Sequence, residues 1–208
     1  MISAGLMNEG STYPSIVTII EERMPMDKFF LNQQEVALVI IDIQDKLAAV
    51  MRHKEQVVTH CLHLIILAKL LQIPILLTEQ YPKGLGPTIS EIKEALPEYA
   101  PFEKTAFNGC QEAGFLEKVA STGRKKLLLT GMETHVCVLQ TSLGLMKQGY
   151  SVQVVQDAVC SRTKNNFRSG LEYMRDAGTV ITNTETVLFQ ILERAGTEAF
   201  KVISQRIK

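Results

Sequence analysis

The sequence lacks the features that mark a membrane protein, a nucleic-acid-binding protein or a secreted protein. Its 208 residues include 22 basic and 22 acidic residues, the net charge is zero, and no basic stripe stands out. Neither nucleic acid nor an acidic membrane surface is therefore expected as a partner. The longest apolar runs, 36–41 and 64–71, are too short to span a bilayer. No basic segment precedes the apolar patch at 16–20, so no secretory signal is predicted. We expect a cytoplasmic protein that acts on a small molecule.

Cysteines are few and widely spaced. Cys61, Cys110, Cys137 and Cys160 form no C-x-x-C pair. A chain of this length with 46% hydrophobic residues needs no disulfide to hold its core. Reduced thiols are expected, and a free thiol is available for chemistry.

The sequence also lacks a phosphate-binding glycine motif. No G-x-G-x-x-G follows the first apolar run, and the glycine-rich stretch 84–87 does not match a phosphate loop. We interpret 84–87 as a loop that covers a pocket. A nucleotide-binding oxidoreductase is thereby disfavoured, and no cofactor is expected.

Hydrophobic periodicity predicts alternating strands and helices. The predicted strands are mostly continuous apolar runs, typical of parallel strands covered on both faces: 36–43, 74–79, 103–107, 126–131, 151–156 and 179–182. Helical patterns lie between and after them, at 53–71, 111–122, 136–148, 164–177, 185–195 and 197–207. This order predicts an α/β fold with a doubly wound, open parallel sheet of about six strands and helices on both faces, a Rossmann-like three-layer arrangement. We expect one domain at 31–208, preceded by an arm at 1–30 that could form part of an interface in a homo-oligomer.

Polar residues collect where the predicted strands end. Asp42, Gln80 and Lys104 lie at or near the ends of three strands, and Cys137 follows the fourth. Ligands of such sheets bind at the carboxyl ends of the strands. Because Cys137 should lie where a strand turns into a helix, the helix dipole is expected to favour the thiolate. Cys137 is therefore the candidate nucleophile, although a small buried cysteine also occurs as simple packing.

Several segments carry a resemblance to a known family. They are ALVIIDIQ at 37–44, KTAF at 104–107, LTGMETHVCV at 129–138, GYSV at 149–152 and QDA at 156–158. In this order and spacing, the chain resembles the isochorismatase-like cysteine hydrolases over about residues 36–185. The stretch LTEQYPKGLGPT at 77–88 is similar to the isochorismatase domain-containing branch of that family.

The resemblance implies a catalytic triad of Asp42, Lys104 and Cys137. In this scheme the cysteine attacks a carbonyl carbon, the aspartate accepts and returns the proton, and the lysine supplies positive charge. The backbone N–H groups of Glu133 and Cys137 would hold the oxyanion. The resemblance also implies a cis peptide between Met132 and Glu133.

The expected reaction is hydrolysis of a small amide, imide or ureide C–N bond through a thioester, without a metal. Family members with a metal site carry a histidine just after the second strand, and the region just after Glu79 contains none here. Members that cleave isochorismate lack the cysteine, because vinyl-ether hydrolysis needs no thiol. Two alternatives stay open: a non-catalytic binding or regulatory protein that retains the fold, and isochorismate-type vinyl-ether hydrolysis.

Five residues are expected to line the pocket: Gln44, Gln80, Tyr81, Phe107 and His135. The two glutamines could bind a polar substrate group or cap nearby backbone. Tyr81 would supply an apolar wall. His135 could act as a base for Cys137, but we favour a role in shaping the turn or the pocket wall.

Overall fold

A parallel six-stranded sheet organises the chain. The computed structural model describes residues 26–207. The strands are β1 (Val36–Ile41), β2 (Ile75–Gln80), β3 (Phe102–Lys104), β4 (Lys126–Met132), β5 (Ser151–Cys160) and β6 (Val180–Thr182). Their order is β3-β2-β1-β4-β5-β6, and each neighbouring pair is parallel. The predicted fold class is confirmed.

Nine α-helices connect or follow these strands within the described residues. They are α1 (Asp45–Ala48), α2 (Lys54–Leu70), α3 (Pro82–Leu85), α4 (Ser90–Ala95), α5 (Phe115–Ala120), α6 (Leu139–Lys147), α7 (Lys164–Asp176), α8 (Thr184–Leu192) and α9 (Glu198–Arg206). A 3₁₀ turn at Gly109–Gln111 and a π-helical turn at Thr134–Val138 complete the regular structure. Between residues 26 and 207, no helix is long and apolar enough to cross a membrane.

The apolar strands build two cores, one on each face of the sheet. Every residue of β1 is buried, as expected of a central strand. Leu38 and Ile40 pack in the core that includes α2, α8 and α9, whereas Val39 and Ile41 pack in the core that includes α5, α6 and α7. Alternate side chains therefore point to opposite layers. The parallel pairing of the strands places their carboxyl ends at a common edge.

Three strands end more than one residue away from the predicted position. The first strand ends at Ile41 rather than at residue 43, because Asp42 has a positive φ of 54° and the chain turns there. The third strand ends at Lys104 rather than at 107. The N–H groups of Thr105 and Ala106 donate to the Glu112 carboxylate, at 2.7 and 3.0 Å, and not to a neighbouring strand. The fifth strand continues to Cys160, four residues beyond its predicted end.

Short helices account for the other differences. The helix predicted at 111–122 is a 3₁₀ turn followed by α5, and the one predicted at 136–148 begins with the π-helical turn. Helices α1, α3 and α4 were not predicted, since four to six residues are too few to display a 3.6-residue period. The stretch 84–87 was predicted as a loop, but its first two residues belong to α3.

The predicted arm lies mostly outside the described residues, which begin at Met26. The described part of it contacts the sheet. Asp27 forms an ion pair with Lys126 at 3.1 Å, and the Lys28 ammonium donates to the Gly178 carbonyl at 3.0 Å. Gln153 in β5 donates to the Lys28 carbonyl at 2.7 Å. Residues 27 and 28 therefore pack against the domain that follows them.

Candidate active site

A buried ion pair lies at the carboxyl edge of the sheet. Lys104 Nζ is 2.7 Å from Asp42 Oδ2, and both side chains are almost completely buried. The Thr78 hydroxyl donates to Asp42 Oδ1 at 2.7 Å. Because β2 separates β3 from β1, the lysine side chain must cross the end of β2, where Gln80 Oε1 accepts a second hydrogen bond at 2.7 Å. The strand order brings together two residues that are 62 positions apart in sequence.

Cys137 lies in a wide turn beside this pair. It belongs to the π-helical turn between β4 and α6. The Glu133 carbonyl accepts from the N–H groups of Val136 at 3.0 Å and of Val138 at 3.2 Å, and the second bond spans five residues. Such π-type turns are often found at functional sites. The Met132–Glu133 peptide is cis, as the family resemblance implies.

The surroundings of Cys137 favour the neutral thiol, and not the thiolate expected from the sequence. Burial raises its pKa to about 12, and the negative charge of Asp42 raises it further than the Lys104 ammonium lowers it. The pKa is raised because only 5% of the residue is exposed and a carboxylate faces the sulfur. The cluster therefore combines a neutral thiol, a carboxylate and an ammonium group.

The turn is attached to the end of β5 through two side chains. Glu133 Oε1 accepts from both the backbone N–H and the Nε of Arg162, each at 3.1 Å. His135 Nδ1 is 3.0 Å from the Ser161 hydroxyl. This contact fits a turn-shaping role for His135 better than a role as base. The sequence interpretation missed Ser161 and Arg162. Their position directly after the fifth strand, at the carboxyl edge of the sheet, was the only signal that could have found them.

Gln44 and Gln80 use their side-chain amides in hydrogen bonds within the protein. Gln44 is completely buried; its Oε1 accepts from the Gln80 N–H at 2.7 Å, and its Nε2 donates to the Gly86 carbonyl at 2.7 Å. Gln80 accepts from Lys104 and donates to the Thr105 carbonyl at 2.6 Å. Of the two roles considered, capping of nearby backbone matches these contacts. Gln80 additionally orients the lysine.

Two aromatic residues flank the cluster at the surface. Tyr81 follows the end of β2 and is 54% exposed, and Phe107 follows the turn after β3 and is 53% exposed. The ring of Tyr81 packs on Gly84, where an added Cβ would overlap it. Both side chains are thus available as apolar contacts for a ligand or for another protein surface.

Within residues 26–207, no group of three or more His, Cys, Asp or Glu residues is arranged to hold a metal ion. All four cysteines are free thiols. The side chains at the sheet edge offer groups for proton transfer, nucleophilic attack and hydrogen bonding.

The doubly wound sheet brings a thiol, a carboxylate and an ammonium group together at its carboxyl edge, a set of groups that a cysteine hydrolase can use. The sequence profile of the Isochorismatase domain matches residues 36–186. This chain belongs to the isochorismatase family, as the sequence resemblance predicted.

Curated relatives and solved structures agree with this assignment. The secreted isochorismatase effector Isc1 of Phytophthora sojae is 44% identical over 147 residues, covering 68% of this chain and 69% of that protein. Isochorismatase domain-containing protein 2A of mouse is 36% identical, covering 82% of each chain. A Caenorhabditis elegans structure described as MAR1 ribonuclease is 35% identical with a TM-score of 0.79, covering 86% of this chain and 92% of that one.

Proposed function

We propose that this protein hydrolyses a small amide, imide or ureide C–N bond with Cys137 as nucleophile. The observation that carries the proposal is the buried Asp42–Lys104 ion pair, whose charges both act on the Cys137 thiol. Burying two charges is costly unless they are paired, and pairing them beside a thiol has a clear chemical use. Membership of a hydrolase family supports the reaction type.

In the first half of the reaction, the thiol proton passes to Asp42 while the sulfur bonds to the carbonyl carbon of the substrate. A base is needed at that moment because the resting thiol is neutral. The backbone N–H groups of Glu133 and Cys137 would stabilise the resulting oxyanion. Asp42 then returns the proton to the leaving nitrogen, the C–N bond breaks, and a thioester and a free amine remain.

In the second half, water replaces the amine. Asp42 accepts a proton from the water as its oxygen attacks the thioester carbon. Collapse of the tetrahedral intermediate breaks the C–S bond, and the proton returns to the sulfur. Lys104 holds Asp42 in position and offsets its charge throughout.

The test is a screen of small amides, imides and ureides, read as loss of substrate by chromatography and, for primary amides, also as ammonia release. Cys137→Ser should lower the rate with any accepted substrate by at least about a thousandfold, with the melting temperature little changed. Cys110→Ser is the matched control and should keep the wild-type rate. Undiminished ammonia release by Cys137→Ser would refute the nucleophile. If no compound in a broad screen is hydrolysed, a non-catalytic binding protein becomes the better description.

A second candidate reaction is hydrolysis of a vinyl ether of the isochorismate type. The 44% identical relative from Phytophthora sojae is named an isochorismatase, and this name favours the second candidate. In this reaction Asp42 would act as an acid and the thiol would have no covalent role. The Cys137→Ser variant separates the two candidates, because it should retain isochorismate hydrolysis if this reaction is the true one.

We further propose a homo-oligomer in the cytoplasm. The exposed aromatic residues Tyr81 and Phe107 beside the cluster support an interface between subunits. The four free thiols support a reducing compartment such as the cytoplasm. Light scattering on the full chain and on a chain beginning at Met26 measures the oligomer and the contribution of the arm. A monomer in both cases, or secretion of the native protein, would contradict this part of the proposal.

A further inference from the structure

A groove of about 400 Å³ lies beside the Cys137 turn, separate from the Asp42–Lys104 pair. The start of α2 forms one wall, and the end of β5 with the start of α7 forms the other. Cys160 ends β5 and pairs with Met132 at the end of β4. The groove is therefore at the carboxyl edge of the sheet, one strand away from the candidate active site.

Positive charge dominates the groove. Four of its lining residues carry a permanent positive charge, namely Arg52, Arg162, Lys164 and Arg168. No aspartate or glutamate from the described part of the chain lines it. Only Arg162 of these four forms an ion pair among residues 26–207, through its Nε to Glu133, and its side chain stays 58% exposed. In a chain with zero net charge, this local excess creates a field that attracts anions.

The backbone adds to this field. Helix α7 has 13 residues and begins at the groove wall, so the positive end of its dipole faces the same space as the cationic side chains. Thr163 caps the helix by accepting from the Asn166 N–H at 3.2 Å. The backbone and the side chains thus favour the same kind of ligand.

Apolar and neutral polar side chains complete the lining. Val57, Val159 and Phe167 provide apolar surface, and Gln56 and Gln156 provide amide groups. A bare inorganic ion would leave the apolar surface unused. A small organic molecule with one anionic group would use both parts of the groove.

We propose that this groove binds a small organic anion, with a carboxylate or phosphate group held by the cationic cluster. Arg162 and Ser161 border the groove and also contact Glu133 and His135, so a bound anion would lie directly against the Cys137 turn. A volume of about 400 Å³ and a net charge of zero for the whole chain do not favour a nucleic acid. The binding does not depend on the proposed hydrolysis, so each can fail without the other.

The test is a titration followed by backbone amide NMR shifts in the wild-type protein and in Cys137→Ser. The probes are benzoate, phenyl phosphate, inorganic phosphate and, as the neutral match, benzyl alcohol. We expect saturable shifts at residues 161–168 with benzoate or phenyl phosphate, equally in both proteins and weaker at high salt. Tighter binding of benzoate would identify a carboxylate as the preferred anionic group, and tighter binding of phenyl phosphate would identify a phosphate. Equal binding of benzyl alcohol would show that the anionic group plays no part, and equal binding of inorganic phosphate and phenyl phosphate would show that the apolar surface plays none. Either result would overturn the proposal.

Two arginines on α7 provide a matched pair of variants. Arg168 lines the groove, whereas Arg175 is exposed in the last turn of the same helix and does not line it. Arg168→Gln should weaken binding about tenfold or more, and Arg168→Lys should weaken it less. Arg175→Gln should bind as the wild type does. Equal affinity of Arg168→Gln and the wild type, or equal losses in the two glutamine variants, would refute a specific site.

Discussion

Lys104 and Asp42 decide the electrostatics of the candidate site. Both are buried, and removing one partner from such a pair costs about 3–5 kcal/mol because the other charge stays unpaired. Their effects on Cys137 are opposite: the carboxylate raises the pKa of the thiol and the ammonium lowers it. Burial and, to a smaller extent, the carboxylate favour the protonated thiol at rest, and the same carboxylate is the base that would remove the proton during attack.

This dual role predicts opposite effects of one substitution. Asp42→Asn should lower C–N hydrolysis by about a hundredfold or more, because the base is lost. The same change should speed alkylation of Cys137 by iodoacetamide at pH 9, because the pKa of the thiol falls without the negative charge. Lys104→Gln should slow that alkylation.

Mass spectrometry of the modified peptides measures the rates. Cys110, whose pKa is raised chiefly by burial, provides the internal reference. Slower alkylation in Asp42→Asn would mean that the carboxylate does not control the thiol.

At the level of the elements, the close approach of β1 and β4 places the site. Ile41 pairs with Gly131, so the strand ends that lead to Asp42 and to the Cys137 turn lie side by side. Gly131 has φ of +116°, and a Cβ there would overlap the Ile41 carbonyl. Only glycine allows both this backbone conformation and this contact.

Gly131→Ala should therefore destabilise the protein strongly. We expect the free energy of unfolding to fall by at least about 3 kcal/mol in urea denaturation. Gly123→Ala is the control, because Gly123 also has a positive φ, of 68°, but an added Cβ would lie in open space. That change should cost only about 1–2 kcal/mol. Similar losses in both variants would show that backbone conformation, and not the strand contact, sets the cost.

At the level of the whole molecule, three buried thiols link stability to pH. Burial raises the pKa of Cys61, Cys137 and Cys160 to about 12, against 9.0 in an exposed thiol. Above pH 9 the unfolded chain loses these protons while the folded chain keeps them. The unfolded state is then favoured, so stability present below pH 9 is lost as the pH rises toward 12.

Each of these thiols should lower the free energy of unfolding by about 1.4 kcal/mol per pH unit in this range. Urea denaturation at pH 8, 9, 10 and 10.5 measures the total slope, to which lysines and tyrosines also contribute. Cys61→Ala isolates one thiol and should make the slope shallower by about that amount. An unchanged slope in Cys61→Ala would contradict the raised pKa of Cys61.

The sequence by itself determined the fold class and the residues at the sheet edge. Continuous apolar runs such as 36–41 are typical of strands covered on both faces, and the family motifs supplied Asp42, Lys104 and Cys137 as candidates. Periodicity missed α1, α3 and α4 because they are too short to repeat.

Only the tertiary structure decided the state of the thiol and the surroundings of the site. Burial and the facing carboxylate, which depend on strand order, outweighed the helix-start effect expected from local sequence. The hydrogen bond between Glu133 and Arg162 joins residues that are 29 positions apart in sequence, and the one between His135 and Ser161 joins residues that are 26 positions apart. The cationic groove likewise joins α2 to α7. Such contacts arise from packing between layers, which a local sequence pattern does not encode.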